Sequence, residues 1–288
     1  MKKVTTVLPA SPVNMGGIIV KQALPKQSVQ QVDPFLLLHH ATFTFNEFVP
    51  AIKQGIGPHP HRGFSPVTFV INGEVHHRDS RGNNQIAKKG EVQWMNAGAG
   101  IVHSERPSEN LVKTKGKQEV IQLWVNSPAN KKMEQPLYQF ASEAAMPTFL
   151  SDDKRISHKL VAGTYNGLKS TLKTASELLI IWATAEAGGK QVLQVPTHYN
   201  TALYLISGEL NIAGYGITAP QSLVVFDNNA ENIAVTAKTN AAFLLLAGVP
   251  LNEKLVQHGP YVMNSETEIL RAMRDYQMGK MGVLIEDK

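Results

Sequence analysis

The fold class is decided by the stretch Val67-Thr68-Phe69-Val70-Ile71-Asn72-Gly73-Glu74-Val75. Its first five residues alternate between the two faces of an extended chain, with Val67, Phe69 and Ile71 on one face. Asn72-Gly73 is a strong hairpin signal, because a tight two-residue turn requires positive φ at both positions. The stretch therefore predicts two antiparallel strands joined by a hairpin.

Similar strands continue along the chain on both sides of this stretch. A second turn is predicted at 80–84, a strand at 92–94, and another at 121–125 that ends at Ser127-Pro128. Apolar runs bounded by turn residues return in the second half at Leu178–Ala183, Thr201–Ile206, Ser222–Phe226 and Ala241–Leu246. Closely spaced strands with such turns predict an antiparallel barrel or sandwich.

The two halves of the chain repeat one pattern. Leu203–Leu210 echoes Val67–Val75, since both contain an apolar strand, a polar-Gly turn, a Glu and an apolar residue. The segment from about 129 to 149 shows no period of two and is interpreted as an interdomain connection. The sequence therefore predicts duplicated barrels, with an N-terminal domain at 1–135 and a C-terminal domain at 145–288.

One helix is predicted near the C-terminus. Ser265 and Glu268 have the spacing of a capping box, and Gly279 is a stop signal. The apolar face between them consists of Ile269, Ala272, Met273 and Tyr276. A helix of this kind is interpreted as a packing element.

Composition limits the function classes. The chain has 288 residues, 43% hydrophobic and 18% charged, which is typical of a globular protein. Its formal charge is +5, but its basic residues are scattered, and the densest cases, Lys88-Lys89 and Lys131-Lys132, are interpreted as parts of a solvated surface. We therefore expect no direct nucleic-acid binding.

Because no segment is long and apolar enough to span a bilayer and Val4–Val13 is broken by polar residues, we expect a cytoplasmic protein that does not bind membranes.

Two short motifs predict a metal site. His59-Pro60-His61 and His103-Ser104-Glu105 each place two ligand side chains at i and i+2, which lie on one face of an extended strand. A single His-x-His is more often a surface or turn feature, but two such pairs beside glycine-bearing turns favour one shared ion. Since the chain has no cysteine, the ligands are imidazole and carboxylate, which suit iron(II), nickel, cobalt, copper, manganese or zinc.

The remaining histidines are weaker candidates. His39-His40 and His76-His77 are adjacent pairs whose side chains diverge in a strand, so at most one of each pair is expected to face a cavity. His158, His198 and His258 are isolated and are interpreted as structural or surface residues.

Three segments carry a resemblance to a known family. They are Gly57-Pro58-His59-Pro60-His61-Arg62-Gly63-Phe64, Gly90-Glu91-Val92-Gln93-Trp94-Met95-Asn96-Ala97-Gly98 and Gly100-Ile101-Val102-His103-Ser104-Glu105. They resemble the two cupin motifs as these occur in the pirin family. Shorter matches are His77-Arg78-Asp79-Ser80, Gln122-Leu123-Trp124-Val125-Asn126, Gly259-Pro260-Tyr261-Val262-Met263-Asn264 and Asp275-Tyr276-Gln277.

This resemblance implies an all-β bicupin. Two cupin (double-stranded β-helix, jelly-roll) barrels would face each other, with a short C-terminal α-helix and a metal in the N-terminal barrel only. The ligands of the family fall on His59, His61, His103 and Glu105, and its usual metal is iron, so Fe(II) is the expected cofactor. Ser65-Pro66 departs from the family, which commonly has Glu after the Gly-Phe of the first motif, and this affects the groups around the metal rather than the ligands.

The resemblance leaves two functions open. Several members of the family are similar to quercetin 2,3-dioxygenases, which open a flavonol ring with dioxygen and release carbon monoxide. In that case a flavonol-like aromatic molecule and O2 are the substrates, and Glu105 is the catalytic group that accepts the substrate proton. Other members are redox-responsive cofactors of transcription, and a regulatory protein of that kind would bind an enzyme or a transcription factor as its partner.

Overall fold

The regular structure of the chain is almost entirely β, as a computed structural model of residues 1–286 shows. The chain forms two compact units, each built from antiparallel sheets in a cupin barrel. We call His40–Glu143 together with residues 252–286 the first barrel, and Met1–His39 with Ala144–Leu251 the second barrel. Each unit therefore combines two separate segments of chain, and the division of the sequence into 1–135 and 145–288 stays a prediction.

The strands and helices are numbered in chain order. Up to residue 141 the strands are β1 (Val4–Pro9), β2 (Ser11–Met15), β3 (Ile18–Leu24), β4 (Phe35–Thr44), β5 (Ile56–His61), β6 (Phe64–Asn72), β7 (Glu74–Asp79), β8 (Asn84–Lys88), β9 (Val92–Asn96), β10 (Ile101–Arg106), β11 (Lys117–Asn126) and β12 (Leu137–Ala141). The later strands are β13 (Thr148–Leu150), β14 (Ile156–Ala162), β15 (Thr164–Tyr165), β16 (Leu168–Lys169), β17 (Leu178–Ala185), β18 (Lys190–Gln194), β19 (Asn200–Ser207), β20 (Leu210–Ile212), β21 (Gly216–Thr218), β22 (Ser222–Phe226), β23 (Asn232–Ala237), β24 (Ala241–Gly248), β25 (Val256–His258) and β26 (Tyr261–Met263). The helices are α1 (Glu109–Lys113) and α2 (Glu266–Gln277), with 3₁₀ turns at Ala51–Lys53, Ala129–Lys131 and Glu143–Ala145.

The predicted hairpin at Asn72-Gly73 is wrong, although both of its strands exist. β6 pairs with β9 and β11 in one sheet of the first barrel, whereas β7 pairs with β8 and β10 in the other. Only Gly73 has a positive φ, of 77°, so the chain turns a corner between two sheets. A Cβ on Gly73 would lie 2.5 Å from the Lys117 carbonyl oxygen, which explains why glycine is required there.

The second barrel contains the same corner. β19 pairs with β22 and β24, and β20 pairs with β21 and β23. Gly208, with a φ of 75°, lies between β19 and β20, as Gly73 does between β6 and β7. The internal repeat that the sequence suggested is therefore a repeated sheet-to-sheet corner, and the four apolar runs of the second half are β17, β19, β22 and β24.

The N-terminal strand belongs to the second barrel, which the sequence did not indicate. β1 pairs antiparallel with β22, from Val4 opposite Phe226 to Pro9 opposite Ser222. It is the edge strand of the sheet β1-β22-β19-β24-β17-β14-β13. The hydrophobic core of this barrel fills the space between that sheet and the sheet β18-β23-β20-β21.

The segment interpreted as an interdomain connection has structure of its own. β12 pairs with β9 as the edge of a first-barrel sheet, from Leu137 opposite Asn96 to Ala141 opposite Val92. Lys132, expected on a solvated surface, is only 1% exposed. Its Nζ donates to carbonyl oxygens of Gly63 (2.7 Å) and Val262 (3.1 Å) and to Asn126 Oδ1 (2.6 Å). Burial lowers the pKa of Lys132 to about 8.

The predicted C-terminal helix is confirmed as α2. The Ser265 hydroxyl caps it by accepting a hydrogen bond from the Glu268 backbone N–H at 3.3 Å. Ile269 and Ala272 are buried in a cluster of the first barrel, in agreement with a packing role. Over residues 1–286, no helix combines the length and hydropathy that crossing a membrane requires.

Candidate metal centre

Two paired strands of the first barrel position the predicted histidines. β5 and β10 run antiparallel, with His59 opposite His103 and His61 opposite Ile101. Because residues i and i+2 of a strand point to one face, the rings of His59 and His61 project together toward His103 on the neighbouring strand. The register of one strand pair thus brings the two sequence motifs to a single place.

The three imidazoles lie close enough to share one ion. One nitrogen of each of His59, His61 and His103 lies within 4.8 Å of those of the other two. The Nε2 atoms of His59 and His61 are 3.1 Å apart, and the ring centroids of His59 and His103 are separated by 4.3 Å. His61 and His103 are buried and His59 is partly exposed, so the group is open to solvent on the His59 side.

Backbone acceptors orient two of the rings. His59 Nδ1 lies 2.8 Å from the Gly57 carbonyl oxygen, and His61 Nδ1 lies 3.4 Å from that of Pro260. A carbonyl oxygen only accepts, so in both rings the proton is assigned to Nδ1 and the lone pair to Nε2. Nε2 of each ring is then the atom that would bind a metal.

Burial keeps the imidazoles of His61 and His103 neutral. Burial lowers the pKa of His61 well below its usual value, and the neighbouring His59 lowers it further. Burial likewise lowers the pKa of His103, with additional contributions from His59, His61 and His77. The His103 Nε2 atom is buried and has no hydrogen-bond partner among residues 1–286. Neutral imidazoles with inward lone pairs are the donor set that a first-row divalent cation requires, so the residues present fit a metal.

Glu105 lies beside this group but outside the set of close ligand atoms. The β5–β10 pairing has an irregularity between His103 and Glu105, so that Glu105 faces Ile56. Its Oε1 accepts from Thr68 Oγ1 at 2.9 Å and its Oε2 accepts from Gln122 Nε2 at 3.1 Å. The roles of Glu105 as a fourth ligand and as a catalytic group stay predictions.

Aromatic side chains form the wall next to His61. The His61 ring is 5.1 Å from Phe64 and 5.5 Å from Trp124, in edge-to-face contacts with both. Phe64 is fully buried, whereas Trp124 is partly exposed. The departure Ser65-Pro66 falls in β6, where Pro66 is opposite Trp124 on β11. His61 is therefore packed against an apolar surface, which holds its ring in place.

Two polar side chains that carry no sequence motif, Gln93 on β9 and Tyr138 on β12, lie on the same sheet as this wall. The Gln93 side chain is 3% exposed, and neither its amide nitrogen nor its oxygen has a partner in hydrogen-bond geometry within residues 1–286. The Tyr138 hydroxyl lies beside that amide, also outside such geometry. Burial raises the pKa of Tyr138 far above its usual range, so its hydroxyl keeps its proton. Single polar residues on strands carry no motif, and only strand pairing reveals that they share an interior.

The adjacent pair His76-His77 diverges as predicted. His77 is buried against the ring of Tyr138, with 4.2 Å between ring centroids. His76 is half-exposed and contacts Asn84 Oδ1 at 2.5 Å. Behind His77, burial alone would raise the pKa of Asp79, but hydrogen bonds from His77, Asn83 and Arg81 outweigh it and lower that pKa.

Comparison with known proteins identifies relatives over most of the chain. The model of the pirin family matches residues 17–125, and that of the pirin C-terminal cupin domain matches residues 181–282. A protein of Pseudomonas aeruginosa named "Putative quercetin 2,3-dioxygenase" is 36% identical over 252 residues, which cover 87% of either chain. A "Pirin-like protein" of Solanum lycopersicum is 35% identical over 272 residues, which cover 92% of this chain and 88% of the relative.

A solved structure extends the similarity to the fold. The crystal structure of a quercetin 2,3-dioxygenase from Acinetobacter baumannii matches with a TM-score of 0.91 and 33% sequence identity. The match covers 99% of this chain and all of the other. Both barrels are therefore shared with a protein of that name.

Proposed function

Starting from the premise that the chain belongs to the pirin family of bicupins, we propose that it is a metal-dependent dioxygenase that cleaves flavonols such as quercetin with O2. The observation that carries the proposal is the convergence of His59, His61 and His103 in the first barrel, with a partly exposed side at His59. Similarity to proteins named quercetin 2,3-dioxygenase supplies the substrate class.

In this proposal His59, His61 and His103 would hold Fe(II) through their Nε2 atoms, and Glu105 would be the fourth ligand. The bound cation would act as a Lewis acid that lowers the pKa of the flavonol 3-hydroxyl group. Every other contribution comes from side chains of the first barrel. The imidazoles of His61 and His103 enter as neutral groups, because burial lowers the pKa of both.

Glu105 receives the proton of the 3-hydroxyl group in our proposal. Its two oxygens are held by Thr68 and Gln122, so the carboxylate has a fixed direction before substrate binds. A carboxylate that is already positioned loses little conformational entropy in accepting a proton. Thr68 and Gln122 therefore act by holding Glu105 in place.

We propose that Gln93 and Tyr138 orient the substrate. The Gln93 amide offers both a donor and an acceptor, and the Tyr138 hydroxyl keeps its proton. The amide and the hydroxyl can bond the hydroxyl and carbonyl groups of a polyphenol, while Trp124 presents a partly exposed aromatic surface to its rings.

The test is quercetin turnover by protein loaded with ferrous iron. The wild-type chain should consume quercetin and oxygen and release carbon monoxide, and His61→Ala should do neither. His76→Ala is the matched control, because His76 is half-exposed and contacts Asn84 rather than the ligand group. Loaded protein that releases no carbon monoxide would exclude a flavonol substrate. Elemental analysis of protein from its own host would identify the metal.

A further inference from the structure

A chain of buried polar side chains leads away from His103 on the side opposite the ligand group. His103 Nδ1 lies 3.4 Å from His77 Nδ1, and His77 Nε2 lies 3.1 Å from Asp79 Oδ2. His103, His77 and Asp79 are 2%, 2% and 3% exposed. The pairing of β7 with β10 places Asp79 opposite His103 and His77 opposite Glu105, so these side chains share one face.

Asp79 is fixed by the turn that follows it. Its Oδ1 accepts from the backbone N–H groups of Arg81 (2.9 Å) and Asn83 (3.1 Å), and its Oδ2 accepts from Asn83 Nδ2 at 2.8 Å. With these donors in place, Asp79 is a carboxylate whose remaining contact is the one with His77. A carboxylate can only accept, so the proton between the two groups belongs to His77 Nε2.

The proton positions then follow along the chain. A neutral His77 that carries its proton on Nε2 has a lone pair on Nδ1. The contact between the two Nδ1 atoms is then a hydrogen bond only if His103 donates it, which leaves the lone pair of His103 on Nε2. His59 and His61 achieve the same state through carbonyl oxygens of Gly57 and Pro260, whereas His103 faces an imidazole instead.

We infer that Asp79 and His77 are positioning residues that fix the tautomer of His103, so that its Nε2 atom is the one available to the metal. The inference rests on the proposed metal site and adds a polar relay behind one of its ligands. The His77 ring stacks on Tyr138, with 17° between the ring planes, and this contact fixes the orientation of the His77 ring. Groups that orient a ligand histidine commonly contribute 10- to 100-fold in metal affinity.

The decisive variant is Asp79→Asn. Its amide oxygen can still accept from the backbone N–H groups of Arg81 and Asn83. Its NH2 group would then take the place of Oδ2, where it loses the bond from Asn83 Nδ2 and donates toward His77 Nε2. His77 would then carry its proton on Nδ1 and donate to His103, which would move the His103 proton to Nε2. We expect affinity for ferrous iron, measured anaerobically against a chromophoric chelator, to fall about 10- to 100-fold.

Imidazole ¹⁵N spectra of the metal-free protein read the tautomer directly. We expect His103 to carry its proton on Nδ1 in the wild type and on Nε2 in Asp79→Asn. Asp227→Asn is the matched control, since Asp227 also accepts a backbone N–H, from Lys3, in the second barrel. It should change neither readout.

A second pair of variants covers the case in which Asp79→Asn does not fold. His77→Leu removes the acceptor and should lower iron affinity by the same factor, whereas His77→Gln offers an amide oxygen to His103 and should restore most of it. A wild-type His103 with its proton on Nε2, as a doubly protonated His77 would impose, overturns the inference. Unchanged iron affinity in both Asp79→Asn and His77→Leu overturns it as well.

These readouts separate the inference from the proposed function. No flavonol or oxygen enters either measurement, so absence of quercetin turnover would leave the relay standing. A wild-type chain that binds no iron would instead contradict the proposed function, while the tautomer of His103 would still be read from the metal-free spectra.

Discussion

The two barrels share a topology and differ in what fills one region of it. In the first barrel, β5 and β10 bring His59, His61 and His103 together. In the second, the corresponding pair of strands is β18 and β23, where Leu193 faces Ile233. Leu193, Ile233 and Val235 are buried in a hydrophobic core, so the same strand pairing carries imidazoles in one copy and aliphatic side chains in the other.

The difference shows how a duplicated fold divides its tasks. Aliphatic side chains at these positions contribute about 1.5–3 kcal/mol each to stability when fully buried. Imidazoles give up much of that contribution, and they must remain neutral in a buried environment. The first barrel therefore gains ligand atoms at these positions but loses part of the packing stability, whereas the second barrel keeps that stability.

The largest expected effect comes from making the first barrel like the second. His103→Leu removes one of three ligands and should lower affinity for ferrous iron by at least about 100-fold, more than the loss of an orienting group does. Leucine buries apolar area where an imidazole was but leaves the buried His77 Nδ1 acceptor unpaired, so these effects oppose each other and the metal-free variant should unfold within a few degrees of the wild type. Metal content per chain and a thermal melt measure the two effects. A variant that retains the full metal content would contradict the assignment of His103.

The next largest effect is expected at the sheet-to-sheet corner that both barrels share, where replacing the glycine should lower stability equally in the two copies. A Cβ at Gly73 would lie 2.5 Å from the Lys117 carbonyl oxygen, and one at Gly208 would lie 2.2 Å from that of Asn240. With positive φ at both sites as well, Gly73→Ala and Gly208→Ala should each cost about 2–3 kcal/mol. Hydrogen exchange would locate each loss in its own barrel. Gly82→Ala, at an open turn with positive φ but no close neighbour, is the control for strain without collision.

Sequence patterns alone predicted both the duplication of the barrel and the histidine group of the first barrel. Strand alternation, the repeat at 203–210 and the two His-containing motifs were enough to predict duplicated barrels and the group His59, His61 and His103. These features are local, because strand period and i, i+2 spacing depend on neighbouring residues only.

Long-range pairing is what the sequence did not show. Asn72-Gly73 has the composition of a hairpin turn, and only the sheets around it make it a corner. The association of β1 with β22 joins residues more than 200 positions apart, and no local pattern records it. Thr68, Gln93, Gln122 and Tyr138 are ordinary polar residues until β6, β9, β11 and β12 are aligned. The pairing His77–Asp79 was present in a matched motif, but its role depends on the register with β10.

A buried histidine of the second barrel should make the stability of the protein depend on pH. His158 is fully buried between Ile156 and Leu160 on β14, stacks on Phe149, and has its pKa lowered by burial to about 4. In the unfolded chain, His158 binds a proton near pH 6.5. Its contribution to stability is therefore fully present above that pH and is lost as the pH falls toward 4. The free energy of unfolding should drop by about 2 kcal/mol from this residue between pH 7.5 and 5.

His158→Leu removes this proton-linked loss and makes the core of the second barrel uniformly apolar. The free energy of unfolding, measured in urea across the pH range, should depend on pH with a slope that is smaller by about one proton in the variant. The loss of stability due to His39, whose pKa is also about 4, should be unchanged. An unaltered slope would mean that His158 binds its proton equally in the folded and the unfolded chain, which would contradict its lowered pKa.

The smallest expected effect concerns the outer face of β10. Ser104 and Arg106 point away from the ligand group, and Glu286 accepts from both, at 2.7 Å from Ser104 Oγ and 2.6 Å from Arg106 Nη2. On β23, the corresponding strand of the second barrel, the outward residues Ala234 and Thr236 are half-exposed. Glu286→Gln keeps part of the hydrogen bonding and removes the charge, so it should cost about 1 kcal/mol of stability.

The same variant tests whether that outer contact reaches the ligand group. Since Glu286 touches neither His103 nor Glu105 in these bonds, iron affinity should fall less than about threefold, well below the effect of an orienting residue. Glu109→Gln, in an exposed pair with Lys113, is the control and should change nothing measurable. If Glu286→Gln lowers iron affinity as much as His77→Leu, the C-terminal segment sets the position of β10, and the first barrel differs from the second by an added support as well as by its ligands.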